Sequence, residues 1–180
     1  MIVSSAAELF RKKGYPGTSI EDIGAAVGTT GPAIYRHFTS KEAILVELLE
    51  RAVERSRRDV TSVLEQELPP VETLREIVRK SVDHVIEETD LVVMADQETR
   101  SLSPEARQRM LRERRAILRG WMEAVQAVRP ELTEGECRAV CLSVFALIIS
   151  LPRGGGLPRA VARPLYTGMA MAALLAKPVA

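Results

Sequence analysis

Thr18-Ser-Ile-Glu-Asp-Ile-Gly-Ala-Ala-Val-Gly-Thr-Thr-Gly-Pro-Ala-Ile-Tyr-Arg-His-Phe-Thr-Ser-Lys41 is the stretch of sequence that decides the fold. Its apolar residues recur at helical spacing, which predicts two short helices around a tight turn. Thr18 and Glu21 have the spacing of a capping box, so we expect the first helix to start at Ser19. Gly28 suits the left-handed conformation that ends a helix. Two such helices are typical of a helix-turn-helix motif.

The second helix of the pair is predicted over residues 31 to 38. Thr29 or Thr30 can cap it, and a proline in its first turn is tolerated because the amide hydrogen there has no partner. Ile34 and Phe38 lie one turn apart and are expected in the core. The remaining side chains are then expected to be exposed and available to DNA, and they are Gly31, Tyr35, Arg36 and His37.

Downstream patterns predict further helices and no strand. A second capping-box pattern, Thr39 with Glu42, starts a long helix that reaches the sixties and has Lys41 in its first turn, where a phosphate can sit. A third, Thr133 with Glu136, starts another helix. Apolar periodicity predicts the other segments: a helix over 71–89, a short apolar piece over 91–95, and helices over 104–128, 133–151 and from 157–163 to about 176. We predict an all-α fold of about nine helices.

The run Ala33-Ile-Tyr-Arg-His-Phe-Thr-Ser-Lys-Glu-Ala-Ile-Leu45, with Ala6 to Phe10 and Gly14-Tyr15 upstream, resembles the DNA-binding domain of the TetR family of bacterial transcriptional regulators. The resemblance implies a three-helix helix-turn-helix domain over residues 1–45 and a larger helical ligand-binding and dimerisation domain over residues 46–180. It also implies which residues contact operator DNA: Thr18, Ser19, Thr29, Thr30, Gly31, Tyr35, Arg36, His37 and Lys41.

Roles within that set also follow from the resemblance. The positions of Tyr35, His37 and Lys41 usually hold phosphates, whereas early helix 3 and Arg36 read base edges. Arg36 alone can make a bidentate contact to guanine. Two features depart from the family pattern. Many relatives carry a lysine near positions 31 and 32, where this chain has Gly31 and Pro32. The sequence also begins in what should be the first turn of helix 1, so contacts from a preceding basic arm are not assumed.

Charge by itself does not indicate nucleic-acid binding. The 180 residues include 25 basic and 24 acidic side chains, and residues 1–45 hold five basic and four acidic ones. Affinity for DNA would then depend on local placement of cations, on helix N-termini and on dimerisation. The longest apolar stretch, Val140 to Leu151, is too short to span a bilayer, and the start lacks the features of a secretion signal. We expect a cytoplasmic protein without membrane contact.

Other chemistries have little support. Cys137 and Cys141 are four residues apart on a predicted helix, where reduced thiols in a helix interface are expected and redox sensing is the alternative. Two histidines and two cysteines offer no three-ligand cluster, so no metal or other cofactor is expected. Nucleophile elbows and nucleotide-binding fingerprints are absent, which argues against an enzyme. The glycine run at 154–156 lacks the features of a P-loop and is expected to be a flexible connector.

The last two helices are predicted to form a homodimer interface. The first is apolar on several sides, and the second carries small residues that permit close helix packing. Two such helices from each of two subunits would make the four-helix interface that the resemblance implies. The alternative is that both are core helices of a monomer.

The central helices are expected to hold the effector site, because ligand pockets in bundles are mostly apolar with a few polar groups. Each candidate also suits core packing, and the candidates are His84, Met94, Gln97, Met110, Arg114, Ile117, Trp121, Met122 and Phe145. Six arginines between Arg107 and Arg119 suit a solvated surface. A minority interpretation is that some of them meet an anionic ligand such as the phosphates of a coenzyme A thioester.

The sequence therefore predicts a dimeric transcriptional regulator. We expect a repressor that is released from a pseudo-palindromic operator by a small hydrophobic effector, with an acyl-CoA compound as one candidate. The alternative is a helical ligand-binding or interaction protein that does not bind DNA.

Overall fold

The computed structural model describes residues 1–99, 102–151 and 157–176, and for residues 90, 93 and 95–97 it describes the backbone only. Over these ranges the chain forms nine α-helices and no strand, which confirms the predicted all-α fold. The helices are α1 (Ile2–Lys13), α2 (Ile20–Ala26), α3 (Gly31–Ile34), α4 (Lys41–Leu64), α5 (Pro70–Glu87), α6 (Thr89–Glu98), α7 (Pro104–Val128), α8 (Glu134–Ile149) and α9 (Arg159–Leu175). The apolar piece expected at 91–95 belongs to helix α6. The glycine run at 154–156 lies outside the described residues.

One compact unit comprises Met1–Val53 and Asp90–Met110. Helices α1, α2 and α3 pack together at its N-terminal end. The core of this unit consists of aliphatic and aromatic side chains that are at most 3% exposed, among them Ala6, Phe10, Ile23, Ile34, Ile44, Leu45 and Leu49. Burial of these side chains from the apolar faces of short helices is what stabilises the unit.

The other compact unit comprises Glu54–Thr89 and Leu111–Ala180. Helix α5 packs against α9 and α8, and α8 packs against α9. Its core includes Leu74, Val78, Trp121, Val125 and Leu174, each at most 1% exposed. The division of the chain at residues 45 and 46 remains a prediction.

One of the three predicted capping boxes is confirmed. The Thr133 hydroxyl accepts a hydrogen bond from the Glu136 amide at 3.3 Å, and the Glu136 carboxylate accepts one from the Thr133 amide at 2.8 Å. Thr133 is therefore the N-cap of α8, as its spacing with Glu136 predicted.

The predictions of the other two capping boxes, Thr18 with Glu21 and Thr39 with Glu42, were wrong. Helix α2 is capped by Ser19 with Asp22, because the Thr18 hydroxyl is used elsewhere and donates to the Gly14 carbonyl at 2.9 Å. At the start of α4, the Ser40 hydroxyl accepts from the Ala43 amide at 3.0 Å. The predicted partner in that box, Glu42, points its carboxylate at a different segment of the chain. Both errors arise because a competing partner lies close in space.

Within the part of the chain that is described, no helix is both long enough and apolar enough to cross a bilayer.

Candidate nucleic-acid interface

The turn between α2 and α3 depends on two glycines. A Cβ atom on Gly24 would lie 2.9 Å from the carbonyl carbon of Thr30 and 3.0 Å from the nitrogen of Gly31. Only glycine therefore lets α3 approach α2 this closely. Gly28 has a φ of 70°, in the left-handed region, as its place after the helix predicted. Together these two positions set the angle at which α3 leaves the turn.

Helix α3 is shorter than expected, and the exposed side chains follow it. It ends at Ile34, which is 0% exposed. The amides of His37 and Phe38 donate to the Ile34 carbonyl at 2.9 and 3.1 Å, so residues 35–38 continue as helical turns. Tyr35 is 53% exposed, and Arg36 and His37 are exposed as predicted. The burial of Ile34 thus holds three adjacent side chains toward solvent.

Gly31 was predicted to be exposed, and that prediction was wrong. Gly31 is buried, because the Glu21 side chain lies over it; a Cβ on Gly31 would be 3.1 Å from the Glu21 Oε1 atom. Thr29 and Thr30 are exposed next to it. Thr30 occupies the N-cap position of α3, and among the described residues its side chain makes no capping hydrogen bond. Its hydroxyl is therefore not committed to the helix that it precedes.

The start of α2 presents a polar surface. Ser19 is exposed and its amide donates to the Asp22 carboxylate at 2.9 Å. The Asp22 carboxylate also pairs with the Lys13 ammonium at 2.7 Å. Hydrogen bonds from Lys13 and Ser19 hold the pKa of Asp22 well below its usual range. Lys13 thereby offsets a negative charge at a helix end that would otherwise repel a phosphate.

Within residues 1–45, the N-terminal head, Thr18 is buried and Lys41 is half-buried. Thr18 is 2% exposed. The Lys41 ammonium donates to the carbonyl oxygens of Tyr15 and Thr18, at 2.9 and 2.8 Å. It also lies 4.5 Å from the centroid of the Tyr15 ring. Sequence spacing indicated none of these contacts, because residues 23 and 26 positions apart supply the two carbonyls.

A shallow groove of about 450 Å³ borders the exposed turn. Its lining includes an aromatic and two potentially cationic side chains beside three acidic ones, namely Phe38, His37, Arg109, Glu42, Glu47 and Glu50. Glu50 is paired with Arg109, at 3.3 Å. Glu47 is paired with Arg51 at 2.8 Å, and Glu42 accepts a hydrogen bond from the Ser103 amide at 2.6 Å. All three carboxylates that line the groove therefore have partners.

The predicted effector residues are divided between the two compact units. Met94 and Met110 are buried in the first unit. In the second unit, His84 and Ile117 are buried, Arg114 and Met122 are half-buried, and Trp121 is 1% exposed. Trp121 meets the half-buried Phe145 edge to face, with ring centroids 4.8 Å apart. The side chain of Gln97 lies outside the described residues.

Arginines of α4 make ion pairs within their units. Arg51 pairs with Glu47 at 2.8 Å, and Arg55 binds the carboxylates of Glu87 and Glu88. Five arginines of α7 are exposed, namely Arg107, Arg109, Arg112, Arg115 and Arg119. Most exposed ion pairs contribute little to stability, and we interpret the α4 pairs as a solvated surface.

Both cysteines are free and buried. Burial raises the pKa of Cys137 and raises that of Cys141 to about 12. Such thiols are protonated at neutral pH and react poorly with oxidants. Over the described ranges, no three His, Cys, Asp or Glu side chains come together in a way that could hold a metal ion.

Two family models match the chain. Residues 2–48 match the model described as bacterial regulatory proteins, tetR family, and residues 67–152 match the model described as tetracyclin repressor-like, C-terminal domain. Among curated relatives, the transcriptional repressor DhaR of Mycobacterium sp. strain GP1 is 28% identical over 126 residues, which are 69% of this chain and 62% of DhaR. Matches to the first curated relatives span between 32% and 62% of their lengths.

Solved structures show the same fold. The transcriptional regulator PfmR of Thermus thermophilus is 26% identical with a TM-score of 0.85, covering 98% of this chain and 99% of PfmR. The structure of AibR in complex with isovaleryl coenzyme A and operator DNA is 22% identical with a TM-score of 0.80, covering 93% of this chain and 95% of AibR. Likeness to both structures extends over the N-terminal head and the C-terminal helices.

Proposed function

The chain belongs to the TetR family of bacterial regulatory proteins, and we propose that it is a dimeric repressor released from a pseudo-palindromic operator by a small hydrophobic effector. The observation that supports this best is the exposed row Tyr35, Arg36 and His37, held outward by the buried Ile34. A regulator of transcription acts on the chromosome, so the proposal includes a cytoplasmic location.

The chemistry of each side chain divides the proposed DNA contacts into base contacts and backbone contacts. Arg36 has a planar guanidinium that matches the O6 and N7 acceptors of guanine, so we assign it to base reading. Tyr35 and His37 flank it with single polar groups, which suit phosphate contacts that set the register. At the start of α2 the proposed contact to the operator backbone comes from the exposed Ser19, next to the buried Thr18. At the start of α3, Thr29, Thr30 and Gly31 are proposed to meet base edges, as the family resemblance implies.

Gel shifts and fluorescence anisotropy test DNA binding. A DNA duplex selected from random sequence by the wild-type chain is titrated with wild type, Arg36→Ala and Tyr35→Phe. We expect Arg36→Ala to weaken binding about tenfold or more and to relax the preference for guanine at one position of each half-site. Tyr35→Phe should weaken binding to all sequences alike. If selection enriches no sequence, the chain is instead a helical ligand-binding or interaction protein.

The proposed dimer interface involves α8 and α9. Leu175 at the C-terminal end of α9 is 40% exposed, and four further large apolar side chains are 44–49% exposed, namely Leu142 on α8 and the evenly spaced Val161, Leu165 and Met169 on α9. The three on α9 follow one another every four residues and therefore form a stripe on one face. A stripe of this kind in a regulator that must bind two half-sites favours pairing with a second copy.

Sedimentation tests the dimer. Leu165→Glu places a charge in the middle of the stripe and should convert a dimer to a monomer. Arg119→Glu, on the exposed face of α7, is the matched control and should leave the dimer intact. The monomeric variant should also lose operator affinity, because each head then binds its half-site alone. A wild-type chain that sediments as a monomer would contradict the proposal.

An acyl-CoA compound is the proposed class of effector. Two observations support it: the structural neighbour AibR was solved with isovaleryl coenzyme A, and exposed arginines line α7 in this chain. Trp121 is the single tryptophan and is buried in the C-terminal unit, so its fluorescence can report binding there. Acyl-CoA at saturating concentration should quench Trp121, raise the melting temperature and release the operator. Melts and fluorescence that stay unchanged would exclude this effector class.

A further inference from the structure

The Lys41 ammonium is surrounded by acceptors from its own head. It donates to the carbonyl oxygens of Tyr15 and Thr18, at 2.9 and 2.8 Å. It also sits 4.5 Å from the centroid of the Tyr15 ring, where the negative face of the ring attracts a cation. A lysine ammonium has three donors. Two of these donors bond to backbone carbonyls in the DNA-free protein.

The segment that Lys41 holds is the irregular connection from α1 to α2. At its beginning, Gly14 has a φ of 76°, and at its end Ser19 caps α2. The Tyr15 ring packs edge to face on the buried Phe10, with centroids 5.1 Å apart. The Thr18 amide approaches the Tyr15 carbonyl at only 3.4 Å. Within the connection the Thr18 hydroxyl donates to the Gly14 carbonyl at 2.9 Å. The two bonds to Lys41 add anchors from a different helix, so we expect them to contribute to the order of the connection.

The connection determines where the start of α2 lies. Ser19 is among the proposed phosphate contacts, and it follows Thr18 directly. We propose that Lys41 is a positioning residue of the DNA-reading head, which orders residues 15–19 from the first turn of α4 and does not itself neutralise a phosphate. This inference rests on the proposed DNA binding for its effect on affinity, but the ordering of the loop is a property of the free protein.

The competing role is a direct phosphate contact, and it requires different chemistry. With two donors on carbonyls, one N–H of the ammonium remains. A phosphate contact through the other two would require the ammonium to leave carbonyls that are partly shielded from water, together with the tyrosine ring. A carbonyl left without a partner in such a place is unfavourable. The two roles also differ in the number of counterions that binding releases, because only a phosphate contact changes that number.

Salt dependence of operator binding separates the two roles. We compare wild type with Lys41→Met, which keeps the aliphatic stem and loses the ammonium, and with Arg36→Met as a variant of an exposed cation. For Lys41→Met we expect affinity to fall about tenfold or more while the slope of log K against log salt stays at the wild-type value. For Arg36→Met, which removes a proposed base contact, we expect weaker binding with a relaxed preference for guanine and a slope close to the wild-type value. A slope that falls by about 1.8 for the two heads of a Lys41→Met dimer would overturn the proposal.

A neutral donor provides a second discrimination. Lys41→Gln has no charge but keeps an amide that can donate to a carbonyl, so it should recover part of the affinity that Lys41→Met loses. A phosphate contact through charge predicts instead that both neutral variants bind equally weakly. If Lys41→Met does not fold, the operator affinity of Lys41→Gln can still be compared with that of wild type. Equal loss in both folded variants would count against a positioning role.

Hydrogen exchange of the DNA-free protein tests the loop directly. In Lys41→Met, the amides of residues 15–19 should exchange faster than in wild type, and those of the α9 core should not change. Lys12→Met is the matched control, because Lys12 is an exposed lysine that pairs with Glu8 at 2.6 Å on α1. Unchanged exchange in the Lys41 variant would overturn the proposal. Because no DNA is present, this result stands even if the chain proves not to bind an operator.

Discussion

The Glu42 carboxylate accepts a hydrogen bond at 2.6 Å from the amide of Ser103, a residue 61 positions further along the chain. Ser103 precedes α7, so a side chain from the first turn of α4 satisfies an amide at the start of another long helix. The neighbouring residue Lys41 holds the connection before α2. Two adjacent side chains at one helix start thus bind two distant segments of the N-terminal unit.

Replacing Glu42 should loosen the start of α7. Glu42→Leu should lower the free energy of unfolding by about 1.5 kcal/mol, because the carboxylate makes a charge-assisted hydrogen bond. Glu42→Gln keeps an acceptor and should lose less. Glu47→Leu is the control, since Glu47 only pairs with Arg51 on the helix surface and its loss should stay below about 1 kcal/mol. Urea unfolding measures all three, and equal losses for Glu42→Leu and Glu47→Leu would contradict the assigned role.

Replacing Arg129 should destabilise the end of α9. Arg129 is 6% exposed, and it donates to the carbonyls of Leu174 and Ala176 at 3.3 and 2.6 Å. Arg129→Met fills a similar space but leaves both carbonyls without this donor, so the free energy of unfolding should fall by about 2 kcal/mol. Arg119→Met, on an exposed face, should change it by no more than about 0.5 kcal/mol. Chemical denaturation compares them, and a loss at Arg129 no larger than at Arg119 would show that the buried bonds are unimportant.

Gly24 is expected to tolerate no side chain. In Gly24→Ala the new Cβ would meet the backbone of Thr30 and Gly31 at 2.9 and 3.0 Å, so α3 must shift away from α2. We expect a loss of about 1–3 kcal/mol and weaker operator binding. Gly135→Ala is the matched control, because nothing lies within 4 Å of its Cβ position and it sits inside α8. That change should stabilise the protein by up to about 1 kcal/mol. Thermal melts that rank the two variants in the opposite order would contradict this packing.

His84 predicts a dependence of stability on pH. It is 7% exposed and its Nδ1 atom has no hydrogen-bond partner among the described residues. Burial lowers the pKa of His84; the carboxylates of Glu88, Asp59 and Glu87 oppose that change, and the Arg55 guanidinium adds to it. Above the unfolded value of 6.5 both states are neutral, and as the pH falls below it the unfolded chain takes up a proton more readily. Stability should therefore decrease as the pH falls below 6.5.

This effect is measured by unfolding the protein at two pH values, about one unit above and about one unit below the pKa of an unperturbed histidine. His84→Phe should reduce the loss of stability between these two pH values, because it removes the titrating group. His37→Gln is the matched control, because it replaces the exposed histidine of the chain. An identical pH dependence in wild type and His84→Phe would show that His84 is protonated equally in both states.

Local patterns were sufficient for much of the reading head. The spacing of Ile20, Ile23 and Ile34 identified the buried faces, and all three are at most 6% exposed. Gly28 was expected to be left-handed, and it has a φ of 70°. Tyr35, Arg36 and His37 were expected to be exposed, as they are. These features depend on neighbours within a few residues, so periodicity and helix-end preferences predict them.

Side chains with several possible partners were not predictable in this way. Spacing assigned Glu42 to its own helix, but it binds the Ser103 amide instead. It assigned Thr18 to the cap of α2, but that role belongs to Ser19 and Asp22. Gly31 was expected on the surface and is covered by Glu21. In each case two arrangements satisfy the same polar groups, and the choice depends on which segments meet in space.

The sequence by itself determined the helical fold, the helix-turn-helix and the family, because these follow from short-range periodicity and from residues at fixed spacing in one stretch. The tertiary structure alone decided what Lys41 does. A lysine at a helix start is equally suited to a phosphate or to carbonyl oxygens, and only folding brings the carbonyls of Tyr15 and Thr18 to 2.9 and 2.8 Å from its ammonium. Long-range hydrogen bonds of this kind leave no periodic trace in the sequence.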